Sequence, residues 1–394
     1  MGHGHGHGHG SHRAGSDIEI ARAPRLVLLG LLAVSFVLTG IGMVALWPDQ
    51  DAADAIRSQT SFAAPGVTYP SATVESTSDT GLTVRIDDGA YAGRRVEVDV
   101  PPEVAASRLG RGDGVRLIAT PATDQQPVRF SYFGTERGTP LWLLGGLFVL
   151  VVVAVARWRG LLAIGGLALG GAVIWWFMLP ALLVGESGVL VGLTGSAAIM
   201  LVVLYTTHGV SLRTSTALLG TLAGLLATAG LAVLAIGGTH LTGISDESGG
   251  ILSSYAGDLD FQGLLACAMV VAGLGVLNDV TITQASAVWE LREAAPSMGR
   301  FRLFNAGMRI GRDHIASTIY TIAFAYAGAA LTVLLVIQLY APPLAELLTT
   351  EEIAQEIVRT LVTSIGLVLA VPLTTAVAVA IVPGRRDVAE HADH

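Results

Sequence analysis

Ionisable side chains are scarce in this sequence, so those bordering its apolar runs are where chemistry would have to sit. In Gly275-Val-Leu-Asn-Asp-Val-Thr-Ile-Thr-Gln284, Asn278 and Asp279 close one such run. A charge near the centre of a membrane helix costs at least about 2.5–3.5 kcal/mol, so ionisable residues there are rare and tend to have a task. On a helix, Asp279, Thr283, Ser286 and Glu290 share one face. A second group, Asp313 and His314, opens the next apolar run; Asp313, Ser317 and Thr321 share a face, and His314, Thr318 and Thr321 share its neighbour. His208, in Thr206-Thr207-His208-Gly209, is expected at the same membrane level. His208, Asn278, Asp279, Asp313 and His314 can therefore converge on one polar cluster, whose carboxylates and imidazoles suit a divalent cation or a proton relay. The structural alternative pairs Asp279 and Asp313 with Arg309 or Arg312, or makes Asp313 the cap of a helix beginning near 315. Spacing alone does not choose between them.

Other chemistry finds little support. No H-E-x-x-H, G-x-S-x-G, P-loop or cysteine-pair motif occurs, so neither a familiar hydrolase nor an ATPase is indicated, and no cofactor is implied. The single cysteine, Cys267, lies in an apolar run and reads as a small buried hydrophobe. The opening MGHGHGHGHGSH tract would bind Ni²⁺, Cu²⁺ or Zn²⁺ loosely, as a native tail or as a purification tag. The acidic loop from Thr242 to Asp260, with Asp246, Glu247, Asp258 and Asp260, lacks EF-hand spacing and reads as solvated. A net charge of −8 gives no reason to expect nucleic acid.

The elements that must position these residues are apolar helices. The chain is 52% hydrophobic and only 14% charged, well below the quarter usual for soluble domains. A bilayer's hydrocarbon, about 30 Å thick, needs about 20 mainly apolar residues per helical span. Eight spans are expected, near 26–46, 140–157, 161–181, 188–206, 215–238, 263–281, 315–340 and 360–383. Turns are expected at Arg157-Trp158-Arg159, Gly185-Glu186-Ser187, 208–214, 239–262, 284–314 and 341–359. Gly166 with Gly170 and Gly220 with Gly224 form small-xxx-small pairs for close packing, and Pro180 and Pro372 are expected to kink their helices. The stretch from Glu290 to Arg312 interleaves arginines with Phe301, Leu303, Phe304, Met308 and Ile310, as an amphipathic helix in the membrane interface would.

Residues 48–138 differ in kind. They are polar, with turn signals at Asp87-Asp88-Gly89 and Gly112-Asp113-Gly114 and alternating stretches at 66–74, 82–86, 94–100, 114–119 and 128–133. Five short strands suit a small β-barrel of the OB type or an open β-sandwich. The expected organisation is a His/Gly-rich cytoplasmic tail (1–25), an anchor helix (26–47), an extracytoplasmic β-domain (48–138), a seven-helix membrane domain (139–383) and a cytoplasmic tail (384–394). Arginine sets the orientation. With both termini inside, the inner segments hold thirteen arginines and the short outer loops only Arg359, among many carboxylates.

Two segments carry a family resemblance. Residues 275–291 (GVLNDVTITQASAVWEL) and 311–328 (GRDHIASTIYTIAFAYAG) look like signature segments of the YibE/F-like membrane proteins. The resemblance covers residues 70–383 and implies a multi-pass protein with an extracytoplasmic segment after its first helix. It implies that Asp279 and Asp313 match acidic family positions, while His314 stands where other members carry apolar residues. It bears on fold and location and leaves the activity open. The expected function is a transporter or permease-like protein for an unidentified ion or solute, aided by Asp279 and Asp313. One alternative is a membrane scaffold whose outer β-domain binds an envelope protein or polymer. Another is a membrane-embedded enzyme holding metal at His208, Asp279, Asp313 and His314. The bilayer is the implied partner in each case, and self-association is left open.

Overall fold

The computed structural model describes residues 22–59, 64–107, 109–122, 126–257 and 259–383. The His/Gly tract and the tail beyond Pro383 lie outside the described residues, as does Asp258. The chain forms two compact units, one holding the described residues of 22–53 and 165–383, the other those of 54–164.

Helices α1 (Arg22–Ala45) and α2 (Gln50–Gln59) precede the sheet. Its strands are β1 (Ser71–Thr77), β2 (Gly81–Ile86), β3 (Arg95–Asp99), β4 (Gly114–Thr120) and β5 (Arg129–Thr135), with a short helix α3 (Pro102–Ala105) between β3 and β4. All pairings are antiparallel in the order β3-β2-β1-β4-β5, and the sheet coils into a nearly closed barrel. Two devices bend so small a sheet. Bulges interrupt the ladders between Val74 and Ser76 and between Arg116 and Leu117. Where the ladder does not close, the Arg94 guanidinium stacks over the Phe130 ring and Tyr91 meets the same ring edge-on. Alternation places Val74, Leu82, Val84, Ile86, Val98, Val115 and Leu117 inside. The strands match the expected ones to within a few residues, except that β1 starts at Ser71 and leaves Thr68 in an isolated bridge to Ala119.

Helix α4 (Gly138–Val173) runs through a π-helical turn (Ile174–Met178) into α5 (Leu179–Leu183), 46 residues in all. The π turn lies just ahead of Pro180, whose ring would clash with the carbonyl of a regular preceding turn. Arg157 breaks the helix, with φ 56° and ψ −135°. A β-carbon on Gly160 would stand 2.7 Å from the Val152 carbonyl oxygen, although eight helical residues span about 12 Å. The chain thus turns sharply at Arg157-Trp158-Arg159, where the sequence placed a turn.

The other helices are α6 (Gly188–His208), α7 (Leu212–Thr239), α8 (Glu247–Tyr255), α9 (Phe261–Ala294), α10 (Arg300–Ala329), α11 (Leu331–Tyr340), α12 (Leu344–Leu347) and α13 (Glu351–Ile381). Among the described residues six helices are long and apolar enough to cross a membrane, or seven if α10 and α11, bent by 68°, form one span. Their outer faces are apolar: Trp175, Trp176, Leu234 and Leu335 are all exposed. The loop expected over 284–314 shrinks to five residues, 295–299, because α9 and α10 each run on. Residues 300–312 accordingly form no helix of their own. They are the first half of α10, with Leu303, Ala306, Gly307 and Gly311 buried.

Helices α7, α9 and α13 form the centre of the bundle. α7 and α13 run antiparallel, and every fourth residue interlocks. Gly220 lies against Thr374, Gly224 against Ala370 and Thr228 against Gly366. Such small residues let backbones approach when apolar burial gives no net drive between helices in lipid. Gly166 and Gly170 similarly admit Val203 and Ile199 of α6. Carboxylates of the acidic loop close helix ends: Asp246 accepts from Gly249 N and Asp260 from Gly263 N, each at 2.8 Å. Glu351 accepts from Thr242 N at 2.7 Å and Gly243 N at 3.2 Å.

Gly220→Val and Gly366→Val should each destabilise the detergent-purified protein by about 1–3 kcal/mol through overpacking. Gly275→Ala, with nothing within 4 Å of the new methyl, should leave the melting midpoint almost unmoved. Differential scanning fluorimetry compares the three.

Candidate functional site

Helix α9 carries two polar faces. The inner one is a seam between α7, α10 and α13. Asn278, Thr281 and Gln284 follow at three-residue steps, each about 4.5 Å further along the axis. The Thr281 and Thr221 hydroxyls meet at 2.6 Å, and both side chains are fully buried. Gln284, 1% exposed, donates through Nε2 to Thr375 Oγ1 at 2.7 Å and to the Gly307 carbonyl at 2.9 Å, so one amide joins α9, α10 and α13. It fits because α10 is glycine where it passes: a β-carbon on Gly311 would stand 2.9 Å from Gln284 Oε1 and 2.5 Å from Val371. The two segments that resemble the family signatures thus meet at Gln284 and Gly311. Gln284 Oε1 and Asn278 Oδ1 are buried without a hydrogen-bond partner among the described residues. Unpaired acceptors in an apolar interior each cost free energy. The seam is therefore polar ground inside an apolar bundle, crossed by α13 at Pro372, which donates no backbone hydrogen bond.

The outer face of α9 borders an open groove against α10, of about 430 Å³. Thr283, Ser286 and Glu290 line it together with His314. Three of the four residues expected on one face of α9 therefore share a wall, and Asp279 lies one turn beyond Thr283, exposed. Ala287, Leu291, Ala294 and Ile310 supply the apolar part of the lining.

The other sequence candidates lie on several helices. His208 ends α6, exposed, its Nδ1 2.8 Å from Thr207 Oγ1. Asp313 is exposed in the middle of a continuous α10, so it caps no helix. Neither Asp279 nor Asp313 forms an ion pair with Arg309 or Arg312 among the described residues. No three His, Cys, Asp or Glu side chains stand together as a metal set among them either.

Gln284 and Arg292 escaped the sequence reading. Arg292 is 2% exposed and donates through Nη1 to the Pro296 and Met298 carbonyls at 3.0 and 2.8 Å, fastening the turn into α10. The available signal was periodicity: Asn278, Thr281 and Gln284 sit at helical spacing opposite the face of Asp279, but they carry no charge to draw attention.

An apolar helical bundle with a buried polar seam, joined in sequence to a small barrel, has the long apolar helices that suit a membrane protein. The family described as YibE/F-like protein matches residues 144–384, more than half of the chain, and the chain belongs to that family. No curated protein and no solved structure matches it.

In a double-mutant cycle, Thr221→Val and Thr281→Val should couple by about 0.6 kcal/mol and at most about 1.7 kcal/mol, as interhelical hydrogen bonds in membranes do. Gln284→Leu should cost about 1–3 kcal/mol. Unfolding titrations in mixed micelles read all of these, and purely additive threonine variants would refute the shared bond.

Proposed function

We propose that this protein is a permease-like carrier of an ion or small polar solute, with the seam of α9 as its internal path. The observation that carries the reading is the pair of buried, unpartnered carbonyl oxygens, Asn278 Oδ1 and Gln284 Oε1, flanking the Thr221–Thr281 hydroxyl pair. Polar groups at such depth are expensive unless a passing solute uses them, and neutral oxygens can replace part of a hydration shell. Pro372 beside the seam supports a helix able to flex there. Asp279, on the face of α9 opposite the seam, and Asp313, exposed on α10, are the ion-handling groups, gathering the ion at the protein surface rather than along the path, ahead of His314, Asn278 and His208. The topology we propose has eight spans, the sharp turn at Arg157 dividing the 46-residue helix in two. Both termini are inside the cytoplasmic membrane, and the barrel, whose strand order suits an OB-type fold, is outside.

The test is solid-supported-membrane electrophysiology on proteoliposomes, stepping H⁺, Na⁺, K⁺ and a panel of amines and amino acids. At least one step should give a current that falls at least about ten-fold in Gln284→Leu and in Asp279→Asn/Asp313→Asn. Full currents in these variants, or none from the parent with any solute, would contradict the reading.

A second reading has its own observation, since the barrel has a hydrophobic core of its own and forms a separate compact unit with most of α4. If the protein is a scaffold, deleting residues 55–135 should abolish its cellular function, while Asp279→Asn and Asp313→Asn should mainly lower stability. A deletion variant that complements fully removes this reading.

A further inference from the structure

The groove on the outer face of α9 has a chemistry that the seam lacks. Glu290 makes no ion pair among the described residues, and Asp279 continues the same face without one. Arg309 and Arg312, the α10 arginines nearest in sequence to this lining, form no ion pair with it among the described residues. With Ile310 and His314 facing the groove, helical geometry turns Arg309 and Arg312 about 120° and 180° away. A carboxylate only accepts hydrogen bonds, and the Thr283 and Ser286 hydroxyls and a neutral His314 nitrogen can accept as well. Leu291 and Ile310 supply apolar surface in the same lining. At about 430 Å³ the groove has the size of a small-molecule pocket.

These features select among ligands. An anion would meet uncompensated carboxylates. A metal ion would find no set of three ligating side chains among the described residues. A group that carries positive charge, donates several hydrogen bonds and brings apolar carbon with it satisfies both parts of the lining. We propose that this groove binds a primary ammonium carried on an apolar body, with Glu290 as its counter-ion and the Thr283 and Ser286 hydroxyls as acceptors. A soluble arylalkylamine and the ethanolamine headgroup of a phospholipid present the same chemistry. The site stands whether or not the protein carries a solute, because binding at Glu290 requires no flux through the seam.

The test is scintillation-proximity binding of radiolabelled phenethylamine to the full chain in maltoside micelles. Binding should saturate, yield to unlabelled phenethylamine but not to phenylacetate, and weaken at least about ten-fold in Glu290→Gln, as loss of a charge-assisted pair does. Thr283→Val/Ser286→Ala should weaken it too, and Glu97→Gln, on β3, should leave it unchanged. Glu290 is exposed, so its variant should remain monodisperse on size exclusion, which keeps the comparison fair. Nanodiscs separate the sources. Loss of phenethylamine binding in phosphatidylethanolamine but not in phosphatidylglycerol assigns the lipid headgroup, whereas equal binding in both assigns a soluble amine. Binding no greater than to empty micelles, equal affinity in Glu290→Gln, or equal competition by phenylacetate would overturn the proposal.

Discussion

Hydrocarbon offers no hydrogen bonds, and six helices among the described residues are long and apolar enough to meet that constraint. Helices satisfy their own backbone groups, so long apolar segments fold as helices and turn their polar side chains toward one another. The pairing of Thr221 with Thr281 and the fan of bonds from the Gln284 amide are the outcome. Apolar burial does not pull helices together in lipid, so close contact depends on shape. Gly220, Gly224 and Gly366 supply that shape, and Gly307 and Gly311 make the room that Gln284 fills. Seam and glycine contacts are thus one arrangement. The amide reaches α10 and α13 only because both backbones come near.

The same constraint sets the value of what is left over. Most hydroxyls on these helices bond back to a carbonyl one turn earlier, as Thr228 does to Gly224 and Thr375 to Val371. Asn278 Oδ1 and Gln284 Oε1, which can only accept, meet no donor among the described residues. Their cost is tolerable in a fold that uses them, and this links the energetics of the seam to the carrier reading. The groove differs in kind. Its carboxylate and imidazole stay exposed to solvent. Helix α9 therefore divides neutral, sealed chemistry from ionisable, open chemistry, and the two faces are about half a helical turn apart.

Much of this was legible in the sequence. The apolar runs marked the helices, the alternation marked the five strands, and Arg157-Trp158-Arg159 marked a turn that the structure makes with a left-handed arginine. The face of Thr283, Ser286 and Glu290 followed from helical spacing. Other features were hidden for physical reasons. Charged residues at the ends of apolar runs suggested a loop over 284–314, but Arg292 folds back on the connecting carbonyls and lets both helices continue. The arginines of 300–312 suggested a separate helix because the glycines on its other side, which pack on α9 and α13, carry no hydropathy signal. A convergence of His208 with the carboxylates could not be tested by spacing, since it depends on how α6 stands against α10. Gln284 was invisible because a neutral amide becomes informative only once its three partners are known.

Helix α9 has one sealed and one open polar face, and both proposals rest on that. Labelling of single cysteines at positions 281 and 283, after Cys267→Ser, tests this most directly, using a water-soluble maleimide on protein in nanodiscs whose two sides are both open to solvent. Cysteine at 283 should react at least about ten-fold faster than cysteine at 281, because only the former avoids local opening before it meets water. Equal rates, or faster reaction at 281, would contradict it.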